Sequence, residues 1–341
     1  MNVAVLGASG VVGREMLRTL EERDFPADRV VALASSRSEG VHLPFRGEGL
    51  TVRAVSGDAF QGIDVALFSA GAATSREWAL RAAAAGAVVI DNSSAFRMDP
   101  NVPLVVPEIN AGALASHRGI VANPNCTTIT TVMAAAPLHR VAGLRRMVVS
   151  SYQSVSGAGH RGTRELLEQV EKLRGQEEEL ARPDPHALPS GEVFGRTVAY
   201  NVIPRGGTFE EDGVTTEERK LVDESRKILD LPDLDVAATV VRVPVVAGHS
   251  VSLLAEFDRQ ISPGEARLAL ADFPGVLVMD DPSSDLFPTP LDAAGRDEVL
   301  VGRIRRAGDR LDALQLFAVG DNLRKGAALN AVQIAEALSP A

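Results

Sequence analysis

The sequence has 341 residues, 45% of them hydrophobic and only 4% aromatic, which is enough for roughly two domains with mainly aliphatic cores. Its net charge of -10 argues against a nucleic-acid or anionic-membrane partner, either of which calls for a basic surface. No apolar run reaches the ~20 residues of a membrane span, and a single cysteine rules out an intrachain disulfide and fits a reducing cytoplasm.

The chain opens with an apolar run, Asn2–Leu6, then GASGVVG, then an amphipathic stretch to about Arg23. This is the order strand, glycine turn, helix, and the opening has no leader-peptide pattern. Arg29–Ala34, 65–69 and 87–91 read as further strands. An alanine-rich helix over 75–85 is closed by Gly86. Near-continuous apolar strands alternating with helices predict a parallel sheet covered on both faces. After about Pro124 the pattern changes. Strands are expected over 146–153, 236–243, 251–257, 299–304 and 311–318, and helices over 161–173, Thr216–Leu229 and 263–272. Loops are expected over 183–189 and 204–213, and a last alanine-rich helix over 323–338 is expected to return to the first domain. The fold class is therefore α/β: an N-terminal Rossmann-like parallel sheet, plus an α+β substrate and dimerisation domain with a mostly antiparallel sheet. The expected division is 1–124 with 322–341, and 125–321. The stretch 174–208 shows no readable chemistry.

Gly7, Gly10 and Gly13 lie between the first strand and helix, with Ser9, Val11 and Val12 among them. The spacing is G-x-x-G-x-x-G rather than the commoner G-x-G-x-x-G. Glycines here let a pyrophosphate approach free N–H groups at the helix start. An NAD site usually carries Asp or Glu at the end of the second strand. This chain carries Ser35, Ser36, Arg37 and Ser38, with no acid until Glu39. Hydroxyls and a guanidinium suit a 2′-phosphate, so NADP is the expected cofactor.

The lone cysteine stands in NPNCTTITT. Asn123-Pro124-Asn125 is turn chemistry, Cys126 starts a helix expected to run to about Ala136, and Asn125 can cap it. The dipole at a helix start lowers a thiol pKa, which makes a nucleophile, and the N–H groups of Thr127 and Thr128 would lie near an oxyanion. The competing reading is an inert cysteine in the core. The six histidines (His42, His117, His139, His160, His186 and His249) lack metal-ligand spacing, so no metal is expected.

Taken in order, GASGVVG, SSRS, DNSSAFR, NPNCTT, SYQSVSGAG, EERK, RVPVVAGHS and GDNLRKGAALNAVQIAE resemble the aspartate-semialdehyde dehydrogenase family along nearly the whole chain. The resemblance implies reduction of L-aspartyl-4-phosphate to L-aspartate semialdehyde by NADPH, through a thioester on Cys126. That reaction serves biosynthesis of lysine, diaminopimelate, threonine, methionine and isoleucine. The resemblance further implies that His249 is the acid/base group and that Gln153 orients substrate beside the thiol. Arg242 would clamp the α-carboxylate, Arg97 and Lys220 would bind phosphate, and Asn125 would join the substrate set. Glu217, three residues before Lys220 on one helix face, would orient that lysine or meet the substrate ammonium. Ser156, Gly157 and Asn322 would lie at the nicotinamide. A homodimer or homotetramer is implied. Two alternatives remain at this point: an N-acetyl-glutamyl-phosphate reductase, and a non-catalytic NADP-binding sensor.

Overall fold

The computed structural model describes residues 1–176, 178–184 and 188–338. The expected loop at 183–189 and the helix end at 339–341 fall partly outside these residues, as does His186.

The N-terminal sheet has the strand order β5–β2–β1–β6–β7–β8, and every pairing is parallel. Its strands are β1 (Asn2–Leu6), β2 (Arg29–Ala34), β5 (Arg53–Ala54), β6 (Val65–Phe68), β7 (Val88–Asp91) and β8 (Ile120–Ala122). A separate hairpin, β3 (His42–Phe45) and β4 (Glu48–Thr51), interrupts the alternation. Helices α1 (Val11–Glu22), α2 (Ala72–Ala84) and the short α3 (Pro107–Asn110) complete this part. The central strands are buried on both faces, so they could be read as continuous apolar runs. Because the strands are parallel, the residues that follow β1, β6, β7 and β8 (Gly7, Ser69, Asn92 and Asn123) all emerge at one edge. This carboxyl-end edge is where open α/β sheets hold their ligands.

The second sheet has the order β10–β9–β11–β14–β13–β12. It is built from β9 (Leu144–Gln153), β10 (Asp235–Arg242), β11 (His249–Phe257), β12 (Val276–Val278), β13 (Val299–Arg306) and β14 (Ala313–Gly320). The three inner pairings are antiparallel and the two outer ones parallel. Its helices are α4 (Cys126–Ala142), α5 (Gly159–Leu173), α6 (Thr216–Leu229), α7 (Pro263–Ala271) and α8 (Pro290–Ala293).

Two elements depart from expectation. Helix α4 continues to Ala142, straight through Pro137, because nearly every face of it is buried and packing outweighs the lost backbone bond. Gly143, at φ 71°, ends it. The last segment is not one regular helix: Arg324–Ala328 is π-helical, and α9 (Leu329–Leu338) follows. Ala328, Ala331, Val332, Ile334 and Ala335 share a core with Val3, Val5, Val65 and Leu67, so the chain end does return to the first sheet. Among the described residues no helix is long and apolar enough to cross a membrane.

Candidate active site

One cleft of about 400 Å³ gathers Gly10, Val11 and Val12 from the glycine turn with Cys126, Gln153, Arg242 and His249. Arg97, Asn125, Glu217, Ser156, Gly157 and Asn322 also line it. Topology explains the convergence. Gln153 and Arg242 are register partners at the carboxyl ends of the parallel pair β9 and β10. His249 opens the antiparallel β11, opposite Gly320 at the end of β14, and Asn322 follows two residues later. All four therefore lie on one sheet edge. A larger groove of about 780 Å³ runs along α5, but Cys126 and His249 are not part of it.

Asn125 holds the start of α4. Its Oδ1 accepts from the N–H groups of Thr127 and Thr128, at 2.9 and 3.4 Å. Those two donors are thus taken by the cap and are not free for an oxyanion, contrary to the sequence expectation. The thiol likewise departs from expectation: burial, reinforced by the Glu217 carboxylate, pushes Cys126 up to about 11. Arg97, Arg242 and the helix-start N–H act in the opposite direction and lose. Burial thus favours the neutral thiol at Cys126.

His249 is buried, and its Nδ1 accepts from the backbone N–H of Ser154 at 3.1 Å. The Ser154 hydroxyl lies 3.0 Å from the same nitrogen; because a backbone N–H can only donate, Nδ1 is assigned as the acceptor and the hydrogen of the neutral ring to Nε2. Burial, with Arg242 nearby, holds the ring well below the usual imidazole range. A Cβ on Gly157 would stand 3.1 Å from Nε2 and 3.2 Å from Arg242 Nη1, so this glycine leaves both groups open to the cleft. Arg242 donates to the carbonyl of Ser154 at 2.6 Å and stacks over Phe194. Gln153 donates through Nε2 to Thr127 Oγ1 at 2.6 Å.

The cations expected to hold an anion are both paired. Lys220 donates to Glu217 at 2.5 Å, and Glu217 also accepts from Asn125 Nδ2 at 2.8 Å. Burial pushes Glu217 upward, but Lys220, Asn125 and Arg97 together hold it below the ordinary carboxylate range. Arg97 donates to Glu224 at 3.0 Å, a buried acid that the motif reading did not single out. The signal was present as charged residues at helical spacing: 217, 220, 224 and 227. Lys220 does not itself line the cleft.

Asn322 is held by Ser154, Ser156 and the N–H of Gly248, at 3.0 to 3.2 Å. Gly326, in the π-helical turn, packs against Cys126: a Cβ there would stand 2.9 Å from that of Cys126. In the glycine turn, a Cβ on Gly13 would lie 2.1 Å from the Gly7 carbonyl, and one on Gly7 2.3 Å from that of Ser69. Gly10 caps α1 without a side-chain bond. Ser9 and Ser38 share a hydroxyl hydrogen bond of 3.0 Å, with Ser35 and the exposed Arg37 on the same loop. Among the described residues no group of three or more side chains could hold a metal ion.

Residues 2–117 match the semialdehyde dehydrogenase NAD binding domain, and residues 135–325 match the semialdehyde dehydrogenase dimerisation domain. An aspartate-semialdehyde dehydrogenase of Bacillus subtilis is 47% identical over 340 residues, covering 99% of this chain and 97% of that one. The chain belongs to the aspartate-semialdehyde dehydrogenase family. The relative from Aquifex aeolicus is 49% identical, over 98% of this chain and 97% of its own. Among solved structures, aspartate semialdehyde dehydrogenase II from Vibrio cholerae, complexed with ASA, matches with a TM-score of 0.92 at 43% identity. That match covers 99% of this chain and 97% of that one.

Proposed function

We propose that this protein interconverts L-aspartyl-4-phosphate and L-aspartate semialdehyde with NADP, and that Cys126 carries the acyl group as a thioester. One observation carries the reading: a single cleft joins the only thiol to a buried imidazole, two guanidiniums and the glycine turn. The thiol sulfur attacks the acyl carbon, the bond to the phosphate oxygen breaks, and the thiol proton leaves on hydrogenphosphate. Arg97, assisted by Lys220, receives the phosphate, and Arg242 the α-carboxylate. Glu217 and Asn125 complete the substrate set, and Gln153 orients the acyl group. His249 presents an N–H to the cleft, so it serves as the hydrogen-bond donor to the oxygen that becomes negative; when the aldehyde departs, the released thiolate takes a proton from solvent, which restores the neutral thiol.

NADP fits the first half of the cleft. Gly7, Gly10 and Gly13, with Ser9, Val11 and Val12, cradle the pyrophosphate. Ser35, Arg37 and Ser38 take the 2′-phosphate, and Ser156, Gly157 and Asn322 lie at the nicotinamide. The cofactor, when bound, supplies the hydride that reduces the acyl carbon. We assign 1–124 with the C-terminal segment to cofactor binding and 125–321 to catalysis and dimerisation. The protein acts in the cytoplasm as a homodimer or homotetramer, in biosynthesis of the aspartate-derived amino acids.

The test mixes the protein with L-aspartate semialdehyde, inorganic phosphate and NADP⁺ and follows reduced nicotinamide by absorbance. Phosphate-dependent reduction supports the assignment. Reduction only with N-acetylglutamate semialdehyde would replace the substrate.

A further inference from the structure

Helix α6 turns a charged stripe inward. Glu217, Glu224 and Lys227 recur at helical spacing, and each touches the segments that frame Cys126. Glu224 is 1% exposed. One oxygen accepts from Arg97 Nη1 at 3.0 Å, and the other accepts from the backbone N–H of Asn125 at 2.6 Å. The remaining bonds of Arg97 go to backbone: Nε to the carbonyl of Asn123 and Nη2 to that of Asn92, both at 2.9 Å. Lys227 holds the carbonyls of Arg97, Asp99 and Val102, so the loop is fastened independently of the guanidinium.

We infer that Glu224 is a positioning residue whose carboxylate joins the Arg97 guanidinium to the residue before Cys126, fixing the distance between the anion site and the nucleophile. The inference rests on the reading of Arg97 as the phosphate contact. A guanidinium has five N–H donors. Three of them are committed to Glu224, Asn123 and Asn92, and two remain for an anion in the cleft. Glu224 is the one charged acceptor among those three. A buried carboxylate that links two segments is costly to neutralise, because both partners lose their acceptor away from water. Glu217 acts on the same residue from the other side, through the Asn125 amide. The acids therefore divide the work: Glu217 fixes the Asn125 side chain and Glu224 its backbone.

The test compares full-length wild type, Glu224→Gln and Glu224→Asp in phosphate-dependent oxidation of the aldehyde. Gln keeps the shape but turns an N–H₂ toward one of two donors. We expect the KM for inorganic phosphate to rise about tenfold in Glu224→Gln, with the KM for aldehyde changed less than about twofold. Glu224→Asp, which keeps the charge on a shorter arm, gives a smaller rise in the same direction, and it carries the test if the Gln variant does not fold. A fall in kcat with both KM values unchanged would make Glu224 merely structural and overturn the inference. If wild type shows no phosphate-dependent turnover, the reading of the site fails instead. Alkylation of the single thiol by iodoacetamide then decides: about threefold faster in Glu224→Gln supports the link to Asn125, and an unchanged rate refutes it.

Discussion

The backbone N–H of Ser154 donates to Nδ1 of His249 at 3.1 Å, which assigns the hydrogen of the neutral ring to Nε2, the nitrogen beside Gly157 in the cleft. Burial and Arg242 keep the ring neutral far below the usual imidazole range. A ¹³C or ¹⁵N titration, assigned by comparison with His249→Asn, should show no His249 transition between about pH 5.5 and 8. The folded pKa is depressed while the unfolded chain titrates near 6.5, so the unfolded state binds the extra proton below that pH. Stability should therefore fall as pH drops below about 6.5, with that contribution absent in His249→Asn. A His249 transition near neutrality would contradict this account.

Glu217 raises the Cys126 thiol, so removing its charge should make the thiol more acidic. In Glu217→Gln the apparent thiol pKa falls, and iodoacetamide reacts about threefold or more faster at pH 8. Turnover should nevertheless drop, because Lys220 and Asn125 lose a common partner.

Asn125→Ala removes the cap of α4. A cap of this kind contributes about 1 kcal/mol, which should appear as a lowered melting temperature. The Thr127 and Thr128 N–H groups are then freed, and the Glu217 carboxylate loses one donor. An unchanged melting temperature would mean that packing alone sets the start of the helix.

Gly13→Ala places a methyl 2.1 Å from the Gly7 carbonyl. The turn must open, with an expected cost of about 1–3 kcal/mol and a large loss of NADP binding. Arg37→Ala, on an exposed loop, should leave stability unchanged and weaken NADP much more than NAD. Dye-monitored melting and cofactor titration separate the two effects.

Much of the fold was legible because the parallel strands are apolar on both faces and the glycine turn sits where a cofactor loop must. The hairpin of β3 and β4 was not. Its turn uses Arg46 and Gly47, both at positive φ, and arginine there carries no turn signal; side-chain bonds to the carbonyls of Phe25 and Ala27 hold it. The π-helical turn at Arg324–Ala328 was equally hidden, since one extra residue per turn leaves the alanine-rich composition unchanged. At the site, many residues that the motifs named line the cleft, but Gly7, Ser9, Gly13, Ser35, Arg37, Ser38 and Lys220 do not, and spacing says nothing of how the side chains pair. Whether Thr127 and Thr128 keep free N–H groups depends on the Asn125 rotamer, and whether Cys126 is a thiolate depends on burial. Neither is written in spacing. Glu224 belongs to none of the motifs, and only the packing of α6 against α4 turns it inward.

The central claim is that Cys126 carries the acyl group. The most direct test incubates the protein with L-aspartate semialdehyde and NADP⁺ without phosphate, quenches in acid, and maps the modified peptide by mass spectrometry. The account predicts an aspartyl adduct on Cys126 that disappears when phosphate is added, and turnover in Cys126→Ser lowered by about three orders of magnitude or more. Phosphate-dependent turnover that persists in Cys126→Ser, with no adduct on the wild-type thiol, would contradict it.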